Sequence, residues 1–189
     1  QRPVELRELL ALTDTKTAGP INKLRDRGLV SATMRSTIEA RWTEHAIDAR
    51  VPSQLTKTQQ QIITDIKQTM GNGFSAHLIH GVTGSGKTEV YIRLIEKVIE
   101  TGKVAMLLVP EISLTPQTGG RLIGRFPNHR VAILHSGLTA AQRHQHWAMV
   151  ELGEADIVLG ARSAVFAPVP QNKLGLIIVD EEHDHSYKQ

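Results

Sequence analysis

Hydrophobic and polar residues alternate in two different ways along the chain, with a change near residue 50. After that point, short runs of branched apolar residues are separated by longer stretches whose apolar residues recur at helical spacing. This order predicts parallel strands joined by crossover helices, and hence an α/β, doubly wound sheet whose strands are apolar throughout. The predicted strands cover residues 76–80, 103–109, 130–135, 155–159 and 174–179, and the predicted helices between them cover residues 87–100, 115–125 and 139–152.

The first segment has a shorter and less regular pattern. Apolar residues at helical spacing in residues 4–12 and again after Pro20 predict two helices, and Gly28 should end the second one. Residues 33–38 could then form a small hairpin. Helices followed by a β wing resemble a winged-helix module, which would occupy residues 1–48. Basic residues in this module could contact DNA phosphates, although charge on a short helix is more often only a solvated face.

Residues 49–54 have little periodicity and are predicted to be a linker, so the α/β lobe would cover residues 55–189. The chain has no cysteine, which excludes disulfides and cysteine-bound zinc within it, and no apolar run approaches the ~20 residues of a membrane helix. We therefore expect a cytosolic protein that does not engage a membrane. The formal net charge of +3 permits a nucleic-acid partner without arguing for one. Because the chain opens without methionine and stops in a polar run, we also expect a fragment.

A glycine-rich loop follows the first predicted strand of the lobe and precedes its first predicted helix. Its pattern is G-x-x-x-x-G-K-[ST]. Backbone N–H groups of such a loop surround phosphate oxygens, Lys87 reaches the β and γ phosphates, and the Thr88 hydroxyl can hold Mg²⁺. The alternative is a glycine-rich turn that merely starts a helix. The nucleotide-binding residues predicted from this loop are Gly81, Val82, Thr83, Gly84, Ser85, Gly86, Lys87 and Thr88.

An acidic motif stands at the carboxyl end of the last predicted strand, where doubly wound sheets bind their ligands. Because Mg²⁺ prefers oxygen ligands, Asp180 is predicted to hold the ion, usually through water, and Glu181 to orient the attacking water. The alternative is an acidic loop that caps the next helix. Lys87, Asp180 and Glu181 are therefore the predicted catalytic residues. The whole motif consists of Asp180, Glu181, Glu182 and His183.

Two His-x-His pairs have a spacing that sometimes binds metals. They are His144 with His146 and His183 with His185. Neither pair has a cysteine or a clear third ligand at motif spacing. Solvent exposure or a polar network is therefore the favoured interpretation, and zinc is not expected in this chain.

The phosphate loop together with Asp-Glu-Glu-His resembles the superfamily-2 helicases of the DEAH type, whose first lobe is RecA-like. Further matches follow three of the predicted strands: Pro-Glu-Ile-Ser-Leu-Thr at 110–115, His-Ser-Gly-Leu at 135–138 and Gly-Ala-Arg-Ser-Ala-Val-Phe-Ala-Pro at 160–168. With the polar tail at 184–189, these motifs are similar to those of the primosomal replication-restart helicases. The resemblance is dense over residues 54–189 and loose before them.

The resemblance implies a bacterial, cytoplasmic 3′ to 5′ DNA helicase that uses ATP and Mg²⁺. Its family recognises abandoned replication forks and recruits the factors that reload the replicative helicase. The implied partners are forked and single-stranded DNA, the single-stranded DNA-binding protein and primosome assembly factors. Zinc and the arginine finger of a second RecA-like lobe belong to family parts outside this chain, so the chain alone should hydrolyse little ATP.

Residues predicted to contact DNA come from the resemblance and from their positions after successive strands. Hydroxyls, backbone N–H groups and charge at these strand ends could meet the phosphates of one DNA strand, and an aromatic ring could stack on a base. Taken singly, each position could instead be a turn or a helix cap. The predicted DNA-binding residues are Ser113, Thr115, Ser136, Gly137, Arg162, Ser163 and Tyr187.

Gln59, upstream of the phosphate loop, resembles the glutamine that reads adenine in such motors, and an ordinary polar helix face is the alternative. Three other functions stay open for the chain as a whole. One is another superfamily-2 translocase, such as a fork-reversal or transcription-coupled-repair motor. The second is a DNA-binding module in which the nucleotide acts only as a switch, and the third is a phosphate-loop kinase of small molecules.

Overall fold

The computed structural model divides into two compact units, Gln1–Arg35 and Ser36–Gln189. The residues that it describes are 9–10, 17, 19–31, 54–82 and 84–185.

In the first unit, helix α1 covers Gly19–Asp26 and ends in a Schellman motif at Gly28. Gly28 has a left-handed φ of 71°, its N–H donates to the Arg25 carbonyl at 2.8 Å, and the Leu29 N–H donates to the Leu24 carbonyl at 3.0 Å. The predicted helix stop at Gly28 is confirmed. The predicted hairpin, most of the predicted linker and almost all of the first predicted helix lie outside the described residues, so the winged-helix module stays a prediction.

The second unit contains a sheet of four parallel strands in the spatial order β2-β3-β1-β4. The chain therefore steps from β1 to β2 and back to β3 on one side, and then crosses to β4 on the other side of β1. A strand order that reverses in this way is that of a doubly wound sheet, and the predicted α/β fold class is confirmed. The strands are β1, Val104–Leu108; β2, Val131–Leu134; β3, Ile157–Gly160; and β4, Leu174–Val179.

Helices cover both faces of this sheet. On one face α3 and α4 pack in a core that includes Ala105 and Leu107 of β1, while on the other face Val150 of α5 packs in a core that includes Met106 and Leu108. Because alternate residues enter opposite cores, β1 to β3 are apolar and buried at every position. None of the helices in the described ranges is long and apolar enough to cross a bilayer. The helices of this unit are α2, Lys57–Thr69; α3, Lys87–Ile99; α4, Pro116–Arg125; and α5, Ala140–Glu151.

Two features of the sheet differ from the sequence-based expectation. Only Ile178 of β4 is buried, and Leu174, Ile177 and Val179 keep 40 to 44% of their surface exposed. Within the described residues β4 pairs with β1 alone, so it is an edge strand. Residues 76–80 are not a strand but mostly exposed chain without regular secondary structure. An apolar run shows that a segment suits a sheet, but it does not show how many neighbouring strands the segment will find.

A buried ion pair joins α3 to α4. Glu89 is 8% exposed, and its carboxylate accepts two hydrogen bonds from the Arg125 guanidinium, from Nη1 at 2.8 Å and from Nη2 at 3.0 Å. Nε of Arg93 contacts the same carboxylate at 3.0 Å. Burial by itself raises the pKa of Glu89, but the hydrogen bonds and charges of Arg125 and Arg93 outweigh burial and hold this pKa below its ordinary value.

Replacement of the buried carboxylate, Glu89→Gln, should lower the free energy of unfolding at neutral pH by about 3–5 kcal/mol, because the buried Arg125 loses its counter-charge. Urea unfolding of the chain measures this loss. Glu96→Gln is the matched control on the same helix: Glu96 also contacts Arg93, at 3.4 Å, but its side chain is 41% exposed. Loss of the Glu96 charge should cost less than about 1 kcal/mol. Equal losses of stability in the two variants would show that the Glu89–Arg125 ion pair does not stabilise the fold more than an exposed one.

The cost of Glu89→Gln should also depend on pH. A carboxylate whose pKa is lowered by folding stabilises the fold above its ordinary pKa, and this contribution is lost as the pH falls through the lowered pKa. The difference between wild type and Glu89→Gln should therefore be complete near pH 7 and shrink below about pH 4. The same urea titrations at a series of pH values provide the measurement, and a difference that grows in acid would exclude this explanation.

Candidate nucleotide site and neighbouring loops

The glycine-rich loop turns the chain directly into α3. Gly84 and Gly86 have φ values of 79° and 84°, in the left-handed region that favours glycine. The Ser85 N–H donates to the Val82 carbonyl at 3.1 Å and closes the turn. Thr83 lies outside the described residues. The predicted helix therefore follows the loop directly, whereas the strand predicted before the loop, residues 76–80, is not formed.

The start of α3 differs from the starts of the other α-helices described in this unit. Helices α2, α4 and α5 follow Thr56, Thr115 and Thr139, and each threonine hydroxyl accepts an N–H of the first turn. Helix α3 follows Gly86 and has no side-chain cap. The first-turn N–H groups of a helix lack partners within the helix and bind anions readily. The Glu89 N–H donates to the Gly86 carbonyl at 3.1 Å. Within the described residues no side chain caps the N–H groups of Lys87 and Thr88, and a phosphate group could accept hydrogen bonds from them.

The Lys87 ammonium folds back over the loop. Its Nζ donates to the Gly81 carbonyl at 2.6 Å and to the Val82 carbonyl at 3.1 Å. A phosphate at the start of α3 would offer the same ammonium a charged acceptor, which forms a stronger hydrogen bond than a carbonyl. Thr88, the next residue of α3, is exposed. An ammonium, a hydroxyl and uncapped N–H groups thus occur together, and this donor set suits a magnesium triphosphate.

Gln59 contacts the phosphate loop. Its Nε2 donates to the Gly86 carbonyl at 3.2 Å, and its Oε1 accepts the Thr56 N–H at 2.9 Å as part of a capping box at the start of α2. Each end of the amide therefore has a structural partner. Because an amide group offers two N–H donors and two acceptor sites, one of each stays available. The predicted contact of Gln59 with adenine stays a prediction.

The acidic motif follows β4 in a tight turn. The Asp180 N–H donates to the Leu108 carbonyl at 2.8 Å, which continues the pairing with β1. Its Oδ1 accepts the Glu181 N–H at 3.1 Å, and Glu181 has a positive φ of 50°. The side chains of Glu181, Glu182 and His183 are exposed. Their exposure is compatible with contact to a ligand, and their roles stay predictions.

Tyr91 connects the two parts of the site. It lies one helical turn after Lys87, and its hydroxyl donates to Asp180 Oδ1 at 3.2 Å. Burial, assisted by the charge and hydrogen bond of Asp180, raises the pKa of Tyr91 to about 12, so the phenol keeps its proton. Tyr91 is not among the residues predicted for the site. Its only signal in the sequence is a polar tip on a helical face that is otherwise apolar.

The loops after β1 and β2 hold their predicted DNA-binding groups in internal hydrogen bonds. Oε1 of Glu111, in a short 3₁₀ turn after β1, accepts the Ser136 N–H at 3.2 Å. The Gly137 N–H donates to Nδ1 of His135 at 3.1 Å. The hydrogen bonds from Ser136 hold the pKa of Glu111 below its ordinary value. Glu111 belongs to the motif at 110–115 but is not among the predicted DNA-binding residues, and its contact with Ser136 is not predicted.

The other predicted DNA-binding residues have different surroundings. Oγ1 of Thr115 accepts the Thr118 N–H at 3.3 Å and thereby caps α4. A helix cap is the alternative that the sequence left open for this position. The Ser113 carbonyl accepts a hydrogen bond from the Thr118 hydroxyl at 2.8 Å. Arg162 and Ser163 are exposed in the 3₁₀ turn after β3. Tyr187 lies outside the described residues.

His146 is the buried member of the predicted histidine pairs. Its ring is fully buried in α5, and Nδ1 accepts the Ile133 N–H of β2 at 3.3 Å. Burial lowers the pKa of His146 and thereby favours the neutral ring. Over the residues that the structure describes, no group of three or more potential metal-ligating side chains comes together.

The chain is similar to proteins of replication restart. The family model described as "Type III restriction enzyme, res subunit" matches residues 53–189. The Replication restart protein PriA of Bacillus subtilis is 43% identical over 183 residues, which are 96% of this chain and 22% of that protein. The protein of the same name from Synechocystis is 42% identical over 173 residues, covering 92% of this chain and 20% of that protein. The chain thus spans about a fifth of the length of these relatives.

The chain also resembles a solved structure, the "Structure of RecG bound to three-way DNA junction". The TM-score is 0.63 at 28% sequence identity, and the match covers 87% of this chain and 22% of the other. This likeness confirms the RecA-like form of the predicted α/β lobe.

The contact between Gln59 and the loop predicts that Gly86→Ala destabilises the chain more than Gly102→Ala. Gly86 and Gly102 have φ values of 84° and 73°, so each alanine should cost about 1–2 kcal/mol in backbone strain. At Gly102 no atom lies within 4 Å of the added Cβ, whereas at Gly86 it would lie 2.5 Å from Gln59 Nε2. Displacement of Gln59 should add about 1 kcal/mol from lost hydrogen bonds.

Urea unfolding of both variants, in the wild type and in a Gln59→Ala background, tests this difference. Without the Gln59 side chain the two alanines should cost the same. If the excess cost at Gly86 persists in that background, the contact with Gln59 is not its cause.

Proposed function

The chain belongs to the family described as Type III restriction enzyme, res subunit, and from this premise we propose that it is the nucleotide-binding lobe of an ATP-dependent DNA helicase that acts in replication restart. The observation that carries the proposal is the junction between α3 and the end of β4. The first turn of α3 has no side-chain cap, and one turn later Tyr91 contacts Asp180. Such a junction supports a site at which one triphosphate meets an ammonium, helix donors and a carboxylate.

The predicted nucleotide-binding and catalytic residues have defined tasks in this proposal. The loop and Lys87 bind the phosphates of ATP, and Gln59 reads the adenine with its remaining N–H. Thr88 and Asp180 hold Mg²⁺, Asp180 through water. ATP would supply the phosphoryl group, and Mg²⁺ would partly neutralise the charge of the phosphates. Glu181 orients the attacking water and accepts its proton.

DNA contact is proposed for the loops at the carboxyl ends of β1, β2 and β3. These strands are neighbours in a parallel sheet, so their loops lie along one edge. The Arg162 charge, the hydroxyls of Ser113 and Ser163 and the turn at 135–138 would meet phosphates of one DNA strand, and Tyr187 would stack on a base. The neighbour structure is that of RecG on a three-way DNA junction, which supports DNA as the partner.

The biological setting is proposed from the relatives, of which the chain spans about a fifth. We infer a bacterial cytoplasmic protein that unwinds DNA in the 3′ to 5′ direction at stalled or abandoned forks. Single-stranded DNA-binding protein and primosome assembly factors would be its protein partners, and any zinc would be bound outside this chain. The 189-residue chain alone should hydrolyse little ATP, since an arginine finger from a second lobe contributes about 10³ to 10⁵ in rate.

A second candidate is another superfamily-2 translocase that remodels branched DNA, which the likeness to RecG favours. The identity of 28% to RecG is lower than the 43% to the restart protein of Bacillus subtilis, so replication restart is preferred. The two functions would share the same nucleotide site and differ in their DNA products.

Glu181→Gln in the intact gene product tests the proposed function. DNA-stimulated ATP hydrolysis should fall by about 10² to 10⁴ and unwinding should be lost, while ATP still binds, because only the group that handles the water is changed. Lys87→Ala should instead lose ATP binding. Hydrolysis is measured with and without forked DNA, and binding with a fluorescent nucleotide.

Glu100→Gln is the control for this experiment. Glu100 lies at the far end of α3 and pairs with Lys97 at 2.6 Å on the surface, so hydrolysis and unwinding should be unaffected. A DNA function that survives Glu181→Gln would favour a nucleotide-switched binding module. Hydrolysis that forked DNA does not stimulate would favour a small-molecule kinase.

A further inference from the structure

Tyr91 is the buried residue through which α3 contacts the acidic end of β4. Its side chain is 7% exposed and belongs to the same apolar core as Ile95 and Leu107. The hydroxyl is its one polar group, and it donates to Asp180 Oδ1 at 3.2 Å. A buried tyrosine needs a partner for its O–H group, and here that partner is the carboxylate predicted to hold Mg²⁺.

The same oxygen of Asp180 also holds the turn that follows. Oδ1 accepts the Glu181 N–H at 3.1 Å, and Glu181 has a φ of 50°, a strained value for a residue other than glycine. The Asp184 N–H donates to the Glu181 carbonyl at 2.8 Å and closes the turn. Within the described residues no donor contacts Oδ2. The carboxylate is therefore held through one oxygen, while the other stays available for a further partner.

We propose that Tyr91 is a positioning residue for ATP hydrolysis, which fixes the Asp180 carboxylate and the Glu181 turn relative to the phosphate-loop helix. This inference rests on the proposed function and gives Tyr91 no contact with the nucleotide. An aspartate side chain rotates about two bonds, and a hydrogen bond from a rigid, buried ring selects one orientation.

The position of Tyr91 along α3 relates the orientation of the Asp180 carboxylate to the position of Lys87. Tyr91 and Lys87 lie in consecutive turns of one helix. The element that carries the phosphate-binding ammonium therefore also sets the direction of the carboxylate. Glu181, which is strained and exposed, depends on the same carboxylate for its conformation.

Tyr91→Phe in the intact gene product removes the hydroxyl and keeps the ring. We expect kcat for DNA-stimulated ATP hydrolysis to fall about tenfold, the effect of losing one hydrogen bond to a charged group. The Mg²⁺ concentration at half-maximal rate should rise several-fold. The Kd of a fluorescent ADP analogue in the absence of Mg²⁺ should be unchanged, since Lys87 and the loop are intact.

Amide hydrogen exchange provides a second readout that needs no nucleotide. Without the Tyr91 hydroxyl, the Glu181 N–H should exchange faster, because its acceptor on Asp180 is no longer fixed. Thr101→Val is the matched control. The Thr101 hydroxyl donates to the Val98 carbonyl at 2.6 Å beyond the far end of α3, so its removal should change none of these quantities.

An unchanged Mg²⁺ dependence together with unchanged exchange at Glu181 in Tyr91→Phe would overturn the proposal and leave Tyr91 a role in core packing alone. Equal weakening of ADP binding with and without Mg²⁺ would also overturn it, because the loop itself would then be distorted. The proposed function fails on a separate result, a wild type that hydrolyses ATP without unwinding forked DNA. In that case the Mg²⁺ and exchange comparisons still decide the role of Tyr91.

Discussion

The parallel pairing of β1 between β3 and β4 is the constraint on which the rest of the lobe depends. Leu108, the last residue of β1, is in register with Gly160 of β3 and with Val179 of β4, so the three strands end level. The loops that follow them, with the acidic motif among them, must therefore emerge at one edge of the sheet. This alignment brings residues that are far apart in the sequence into one candidate site.

Those parts of the fold that depend on neighbours in the sequence could be predicted. Strands β1 to β3 are buried on both faces, and such burial leaves continuous apolar runs that are visible without a structure. Helix α5, predicted over residues 139–152, follows Thr139, which forms a capping box with Gln142. Helix α2 follows the same signature, Thr56 with Gln59, although residues 57–69 are not among the predicted helices. That β4 has a single neighbouring strand within the described residues could not be predicted in this way, because it depends on which segments pair with β4.

In the candidate site, too, features that depend on adjacent residues could be predicted, and contacts between distant residues could not. The phosphate loop was recognisable because a few adjacent residues determine its turn. The contacts of Tyr91 and Glu111 were not recognisable, because their partners Asp180 and Ser136 lie 89 and 25 residues further along the chain. Gln59 makes a contact of each kind: its capping box with Thr56 is local, while its contact with Gly86 spans 27 residues. A sequence motif thus identifies the groups that meet a ligand more readily than the groups that hold them in place.

The hydrogen bond from the Ser136 N–H to Glu111 means that this turn already holds an anion of its own. A phosphate that accepts the Ser136 N–H would have to displace the Glu111 carboxylate. Such an exchange conserves the number of hydrogen bonds, so its net free energy is small and depends on how far Glu111 can withdraw. A phosphate would therefore gain little at this turn from the Ser136 N–H alone, because that donor already has a charged acceptor.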